Sequence, residues 1–386
     1  MKKRVISLID NLENELIKLS EFIYNNPELG FKEYKSSKAH MDLLKKYNFK
    51  VESKFMGIET AFKAEFDSKK KGPTIAFLSE YDALPKIGHG CGHNLLGTTS
   101  TGAGIVLSKI LNDIGGKVIV FGTPAEETSG GKVQMALKGA FDNIDIALIA
   151  HPGDKYYKSG SSLAMEAIKF EFKGKSAHAA AYPEKGINAL DAAINTFNNI
   201  NALREHIRYD SRIHGIIKKG GEAANIVPDL AVAEFYVRAI TKSYLISLSK
   251  RVKNCAKGAS LAAGCELEIS NYEASYDNLI TNETLSNIFT KNIKSMGVKK
   301  VYDSRESYGS LDMGNVSQVC PSIHPYFSIT DKEVIAHTKE FSKETIKPKA
   351  YNGMKKTIGA LVLTAIDVIK DKDLLKDIKE EFNKKK

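Results

Sequence analysis

The sequence predicts an α/β fold, in which helices flank a mostly parallel sheet and a smaller α+β domain is inserted into the chain. Two observations predict it. Up to about residue 150, helical stretches alternate with apolar runs of strand length, namely TIAFLS, KVIVFG and IDIALI. Such continuous runs are typical of strands that are buried on both faces of a parallel sheet. After residue 151, the strands instead alternate apolar and polar residues, which is typical of a half-exposed antiparallel sheet.

The chain opens with an amphipathic helix over 1–23, because its apolar residues alternate with Asp and Glu at helical spacing, unlike a signal peptide. A second helix is predicted near 36–47, and strands follow at VESKF, TAFKAEF and TIAFLS. The segment 94–111 is predicted to be a helix that packs closely on the sheet, with Asn94 as its N-cap. Its glycines lack the G-x-G-x-x-G spacing, so a dinucleotide site is not expected.

The inserted domain is predicted at 166–277. MEAIKFEFKGK and AVAEFYVRAI are alternating strands, while GINALDAAINTFNNINAL and the stretch around SYLISLSKRVKNCAKGASLAAG are helices. This order of strands and helices indicates a small antiparallel sheet. The flanking segments 1–165 and 278–386 then form the larger domain, onto which the last long apolar helix, 354–370, packs.

Composition limits the classes of function. A chain of 386 residues that is 42% hydrophobic can bury one large and one smaller core, so two domains are expected. No stretch reaches the roughly 18 to 20 apolar residues of a membrane span. Four cysteines form no disulfide framework at this length, which predicts a reducing, cytoplasmic location. The net charge of +10 comes from dispersed lysines without interleaved aromatics, so nucleic acid is not an expected partner.

Three polar clusters each follow one of the apolar runs: SEYDALP leading into GHGCGH, then TPAEE, then AHP. Because ligands bind in the crevice beyond the carboxyl ends of parallel strands, the clusters are expected to converge. The residues that they bring together are Asp82, His89, Cys91, His93, Glu126, Glu127 and His151. Thiolate, imidazole and carboxylate groups in one place favour zinc or a similar divalent ion over an organic cofactor.

The spacing within these clusters indicates metal ligands with a general base beside them. Cys91 and His93 flank a glycine, so both side chains can point at one ion while the backbone approaches closely. Glu127 and His151 add a carboxylate and an imidazole from neighbouring strand ends. Glu126 can instead face a water whose pKa the metal lowers, accept its proton and return it to a leaving group. This division of roles is that of a hydrolase of amide or ester bonds.

Each feature also has a simpler interpretation: a buried structural cysteine, a solvated Glu-Glu pair or a core histidine. Their position after three separate strands favours the combined metal site. Two hypotheses from other classes are weaker. A metal-binding or peptide-binding protein on the same scaffold needs no base such as Glu126 beside the metal. A thiol redox enzyme that uses Cys91 would need a resolving cysteine nearby.

Several motifs, in the same order from about residue 5 to residue 370, resemble the amidohydrolase branch of the aminoacylase and zinc-carboxypeptidase superfamily. They are NNPELGFKE, SEYDALP, GHGCGHNLLG, TPAEE, AHP, GKSAHAAAYPEKGINALDA, GGEAANIVPDLAVAEFYVRA and GSLDMGNVS. Within that branch, the chain is most similar to aminobenzoyl-glutamate utilisation hydrolases and aminoacylase-like dipeptidases. The resemblance implies a phosphorylase/hydrolase-like catalytic domain and makes the insert at 166–277 a lid and dimerisation domain.

The resemblance implies a site for two divalent metal ions, zinc or manganese, whose ligands are Cys91, His93, Glu127, His151 and a late histidine. His337 in IAHTKEF fits the His-Thr pattern of the family better than His324 in SIHPYFSI. His324 is then expected either to support a metal ligand from behind or to face the substrate.

The resemblance also implies catalytic roles around these ligands. Glu126 matches the general base, and Asp82 matches the acidic residue that orients a ligand. Other branches carry His-x-Asp at the first strand end, whereas this chain has Glu80 and Asp82 there. That departure predicts metal binding that is weaker or less symmetrical at one of the two positions.

In the insert, the resemblance makes His178 a catalytic residue that reaches the active site of the partner subunit in a homodimer and stabilises an oxyanion. It gives Asn225 and Arg238 as contacts to a substrate carboxylate, although Arg238 could equally form an ion pair within the sheet. The implied activity is cleavage of a small-molecule amide, either an N-acyl amino acid, an aminobenzoyl-glutamate-like compound or a small peptide. A β-alanyl-type dipeptidase is the alternative.

Overall fold

A computed structural model describes residues 1–304 and 309–385. The chain forms two compact units. The first comprises Met1–Ser161 and most of the chain from Leu279 onward, and the second comprises Ser162–Asn278 with a short stretch that ends at Ser310.

The elements of the first unit come in two blocks. Up to residue 161 they are α1 (Lys2–Asn25), α2 (Tyr34–Lys46), β1 (Lys50–Ser53), β2 (Phe62–Asp67), β3 (Thr74–Ser79), α3 (His93–Ile114), β4 (Lys117–Gly122), α4 (Gly131–Leu137), β5 (Ile146–Leu148) and β6 (His151–Gly153). The second unit then contains β7 (Ala164–Lys173), α5 (Ala189–Leu203), β8 (Arg212–Lys219), β9 (Leu230–Ala239), α6 (Lys242–Ala263) and β10 (Glu266–Asn271). The first unit resumes with α7 (Glu283–Ser295), α8 (Met313–Ser317), β11 (Ser322–Ile323), β12 (Tyr326–Ser328), α9 (Lys339–Glu344), α10 (Pro348–Lys370) and α11 (Lys372–Lys385).

A mainly parallel sheet forms the centre of the first unit, with strand order β1-β2-β4-β3-β5-β11. The strands β4, β3, β5 and β11 run parallel, while β1 and β2 add an antiparallel edge. A separate parallel pair joins β6 to β12. The predicted fold class is confirmed in this unit.

Both faces of the central sheet are covered by apolar side chains. In β3, Ile75 and Phe77 belong to a core shared with α1, α3 and α10. The intervening Ala76 and Leu78 belong to a different core that contains Phe141. Because neighbouring residues of the strand enter two different cores, the strand has no polar face, which explains its continuous apolar sequence.

The helix α3 begins at His93, so the prediction of Asn94 as its N-cap is wrong. Gly92 occupies the N-cap position with φ 80°, in the left-handed region that favours glycine. A side chain at Gly92 would also collide with the ring of Pro152. Asn94 lies inside the helix, where its side-chain amide donates to the hydroxyl of Ser20 at 3.1 Å. The tight turn at Gly92 is needed because the residues on both sides of it enter the site described below.

The second unit is built on an antiparallel sheet with strand order β10-β7-β9-β8, as its alternating sequence predicts. Along β9, buried and half-buried residues alternate strictly. The helices α5 and α6 pack on the buried face and share one core with it.

The helices of both units are too short or too polar for a lipid bilayer. Within residues 1–304 and 309–385, none combines the length and the apolar composition needed to cross one.

Candidate metal centre

The polar clusters after β3, β4 and β5 meet at the carboxyl ends of these strands, together with the turn that starts α3. Within the described part of the chain, three sets of side chains have possible ligand atoms within 4.8 Å of one another: Cys91 with His93 and His151, Cys91 with Glu127 and His337, and His93 with Glu126 and Glu127. The sets share members, so they form one continuous group of donors. We call these six residues the donor cluster.

His151 presents a nitrogen lone pair to this cluster. Its Nδ1–H donates to the carbonyl oxygen of Pro152 at 2.7 Å, which leaves Nε2 unprotonated. This Nε2 lies 3.4 Å from Sγ of Cys91. Burial lowers the pKa of His151 to about 3, helped by the neighbouring His324 and His93, so the imidazole is neutral at neutral pH and can act as a ligand.

His93 is held in place by Asp82. Its Nδ1–H donates to Oδ1 of Asp82 at 2.8 Å, which directs Nε2 into the cluster. The other carboxylate oxygen of Asp82 accepts the backbone N–H of Glu127 at 2.9 Å. One buried aspartate therefore fixes the ring of His93 and the backbone of Glu127 relative to each other.

The carboxylates after β4 complete the centre of the cluster. Oε2 of Glu127 lies 3.5 Å from Nε2 of His337. Burial raises the pKa of Glu126 well above its usual range, and the neighbouring carboxylates of Glu127 and Glu80 add to that effect. A carboxylate with a raised pKa accepts a proton more readily, which is the property that a general base needs.

The two late histidines lie in different surroundings. His337 is half-exposed, belongs to the donor cluster, and has φ 66°, while its backbone N–H donates to the carbonyl of Gly90 at 2.8 Å. His324 is buried and packs its ring against that of His151, with 5.5 Å between the ring centres. Among the described residues, His324 joins none of the three donor sets.

A buried polar atom without a hydrogen bond is costly, and among the described residues three such atoms lie close together at the edge of the donor cluster. They are Nε2 of His93, Oε2 of Glu80 and Oε1 of Glu127. Nε2 of His93 lies 3.2 Å from the Glu80 oxygen and 4.0 Å from the Glu127 oxygen. All three are lone-pair or anionic atoms, which a cation would satisfy together. The residues present therefore fit divalent metal ions of the kind that accept sulfur, nitrogen and oxygen ligands.

Sequence reasoning missed a buried ion cluster beside this centre. Nζ of Lys132 lies 2.7 Å from Oε1 of Glu80 and 2.6 Å from Oδ1 of Asp312, and all three side chains are at most 2% exposed. Burial alone would raise the pKa of Glu80, but the effects of Lys132, His93 and His151 together outweigh burial and lower that pKa to about 2. Glu80 is thus held as an anion next to the unpartnered nitrogen of His93. Asp312 lies in the motif GSLDMGNVS, and this motif is the only sequence feature that pointed to a member of the ion cluster.

The remaining predicted residues lie in the second unit. His178 is exposed, and its Nδ1 accepts the backbone N–H groups of Ala180 and Ala181 at 3.3 and 3.2 Å. Asn225 is exposed on the neighbouring segment, paired to the histidine loop through the bridge between His178 and Ile226.

Arg238 lies on β9 of the same unit. It donates to the hydroxyl of Ser310 at 3.0 Å, and its guanidinium lies 5.5 Å from the centre of the Tyr236 ring.

Known proteins share this architecture. The peptidase dimerisation domain of the M20 peptidases matches residues 164–262. The chain is 37% identical to the Xaa-Arg dipeptidase of Mus musculus, over 99% of this chain and 92% of the relative. It is 33% identical to one of the subunits of the p-aminobenzoyl-glutamate hydrolase of Escherichia coli, over 72% of this chain and 62% of the relative. A Bacillus subtilis structure described as a dinuclear metal binding peptidase from the M20 family superposes with a TM-score of 0.71 at 19% identity, covering 93% of this chain and 99% of that one.

The donor cluster and these similarities define the class of protein: a hydrolase of amide or peptide bonds that uses divalent metal ions. Within that class, the chain belongs to the M20 family of metallopeptidases.

Proposed function

We propose that the chain binds two divalent ions, zinc or manganese, through Cys91, His93, Glu127, His151 and His337, and uses them to hydrolyse an amide bond. The observation that carries the proposal is the convergence of possible ligand atoms in the donor cluster, where Nε2 of His93 and Oε1 of Glu127 are buried without a hydrogen bond. Cys91 belongs to two of the three donor sets, which supports a role for its sulfur as a metal ligand.

When bound, the ions would lower the pKa of a water and polarise the scissile carbonyl. Residues of the chain carry out the proton transfers and position the ligands. Glu126 accepts a proton from the attacking water and later delivers it to the departing amine, so that cleavage yields a carboxylic acid and an amine. Asp82 holds the ring of His93 and the backbone of Glu127 in fixed positions relative to each other during the reaction. Glu80, held as an anion by Lys132, adds negative charge that favours cations at the His93 side of the cluster.

For the substrate, we propose a dipeptide, with a basic C-terminal residue as the first class to test. The relative that matches nearly the whole chain at 37% identity is an Xaa-Arg dipeptidase, which supports this choice. Aminobenzoyl-glutamate is the second candidate, supported by the Escherichia coli relative.

A substrate panel tests the proposed function. Metal-loaded protein is expected to cleave at least one Xaa-Arg or Xaa-Lys dipeptide, N-acyl amino acid or aminobenzoyl-glutamate, with release of the amine measured by chromatography. Protein stripped with a chelator is expected to be inactive and to recover when zinc or manganese is returned. Lack of cleavage of every compound by fully loaded protein would contradict the proposal.

We further propose that the chain acts as a homodimer and that His178 stabilises the oxyanion in the active site of the partner subunit. The match of residues 164–262 to a peptidase dimerisation domain supports the dimer. The exposure of His178 in the second unit, with Nε2 free of the backbone bonds that engage Nδ1, supports a contact beyond its own unit. Asn225 and Arg238 are proposed to bind the substrate carboxylate, with Arg238 suited to a bidentate contact.

A mixture of two inactive variants is expected to regain activity if His178 works across subunits. A hybrid dimer of Glu126→Gln and His178→Ala chains has one site with an intact Glu126 that receives His178 from the other chain. The expected result is turnover well above that of either variant alone, after subunit exchange has been verified with differently tagged chains. Exchange without recovery would mean that His178 acts within its own chain or not at all.

A further inference from the structure

The short segment between α1 and α2 contacts the catalytic turn through a buried carboxylate. Glu33 is fully buried. Its Oε1 accepts the backbone N–H of Ala125 at 2.8 Å, and its Oε2 accepts the hydroxyl of Thr60 at 2.8 Å. Ala125 directly precedes Glu126 and Glu127, so this bond holds the backbone from which both carboxylates project.

The turn at Ala125 needs such an anchor. Ala125 has φ 62°, in the left-handed region where a residue with a β-carbon is strained. Its carbonyl accepts the N–H of Gly130 at 2.8 Å, which closes the turn on the other side. The segment also lies directly against the turn, because a side chain in place of Gly30 would collide with Ala125 and Thr128. Strained backbone persists only where its surroundings hold it.

The same segment is bonded to the loop after β3. The carbonyl of Glu28 accepts the N–H of Ala83 at 2.8 Å, and Ala83 directly follows Asp82. The side chain of Glu28, unlike its backbone carbonyl, bonds to the start of α2. Its two oxygens accept the backbone N–H groups of Lys35 and Ser36 at 3.0 and 2.9 Å. One stretch of a few residues is therefore tied both to the loop of Asp82 and to the turn of Glu126 and Glu127.

We propose that residues 28–33 are a brace that fixes the spacing between Asp82 and the Glu126–Glu127 turn, with Glu33 as its positioning residue. The inference rests on the proposed function for its catalytic consequence. Among the described residues, Glu33 joins none of the donor sets, and it acts through the backbone of Ala125. A carboxylate suits this place because it accepts two hydrogen bonds from two different donors, and an apolar side chain would leave the N–H of Ala125 buried without a partner.

The variant Glu33→Ala is expected to lower kcat by about 100-fold with little change in KM, because small misplacement of a catalytic group costs that much. It is also expected to weaken binding of zinc or manganese by about 10-fold, as loss of an outer-shell partner does. The kinetic constants are measured on the whole chain with the best substrate of the panel, and metal affinity is measured by calorimetry. Glu33→Gln is expected to restore most of both, because its amide oxygen can still accept from Ala125.

The matched control is Glu381→Ala, which also removes a carboxylate that accepts backbone N–H groups, here those of Glu283 and Thr284 at the start of α7, outside the brace. It is expected to keep kcat and metal affinity near the wild-type values. If Glu33→Ala does not fold, Thr60→Val, which removes only the hydroxyl donor to Glu33, is expected to show a smaller shift in both quantities.

Several outcomes would overturn the brace. The brace would be contradicted if folded Glu33→Ala kept the kcat and metal affinity of the wild type. The same result in Thr60→Val would contradict it where that variant is used instead. An equal loss in Glu381→Ala would mean that removal of any such carboxylate has this effect, and that the bond from Ala125 to Glu33 has no special role. The affinity measurement needs no substrate. A wild-type chain that binds metal but cleaves nothing would therefore contradict the proposed function, and the metal affinities of the variants would still test the brace. A wild-type chain that binds no metal would overturn both.

Discussion

Replacing Glu126 with glutamine is expected to lower kcat by about two to four orders of magnitude, the range associated with loss of a general base. Glutamine keeps the shape of the side chain but cannot accept the proton of the attacking water. Because Glu126 is proposed to face water and not an ion, the metal content should stay at the wild-type level. Turnover and metal content are measured on the same preparation.

The control for this variant is Glu52→Gln, which makes the same chemical change at an exposed position on β1 and should leave both quantities unchanged. Loss of metal together with activity in Glu126→Gln would make Glu126 a ligand. The roles proposed for Glu126 and Glu127 would then have to be exchanged.

Replacing Cys91 with alanine is expected to reduce metal occupancy and activity together. Its sulfur is a member of two donor sets, one with His93 and His151 and the other with Glu127 and His337, so its loss removes a proposed ligand from both sets. Metal per chain is measured by elemental analysis after dialysis against buffer that contains zinc or manganese.

The chain offers three matched controls for this variant. Cys255, Cys265 and Cys320 are also free thiols, and Cys320 is buried. Their alanine variants are expected to keep wild-type occupancy. Undiminished metal in Cys91→Ala, or an equal loss in the three controls, would show that the sulfur of Cys91 does not bind metal.

The central sheet and the strand-end clusters could be predicted from sequence because their determinants are local. Strands such as β3 must be apolar at every position, since alternate residues enter different cores. The polar residues that follow them stand out sharply against such runs. The rule that ligands bind beyond the carboxyl ends of parallel strands then brings Cys91, Glu127 and His151 together without further information.

The structure also holds features that local patterns do not reveal. Lysine is rarely buried, so nothing around Lys132 predicts that it pairs with Glu80 and Asp312 in the interior. Asn94 is a favourable N-cap residue by type, yet the turn between the two proposed ligands gives the cap position to Gly92. Glu33 lies in the motif NNPELGFKE, but its bond to Ala125 joins residues 92 positions apart. Such long-range contacts are set by the tertiary fold.

The most direct test of the account is a titration of metal-free wild-type protein with zinc or manganese, in which bound ions per chain and hydrolysis of the best substrate are followed together. The donor cluster predicts that binding saturates at two ions per chain and that activity, absent at the start, rises as the ions bind. Undiminished hydrolysis by protein shown to be free of metal would contradict the account.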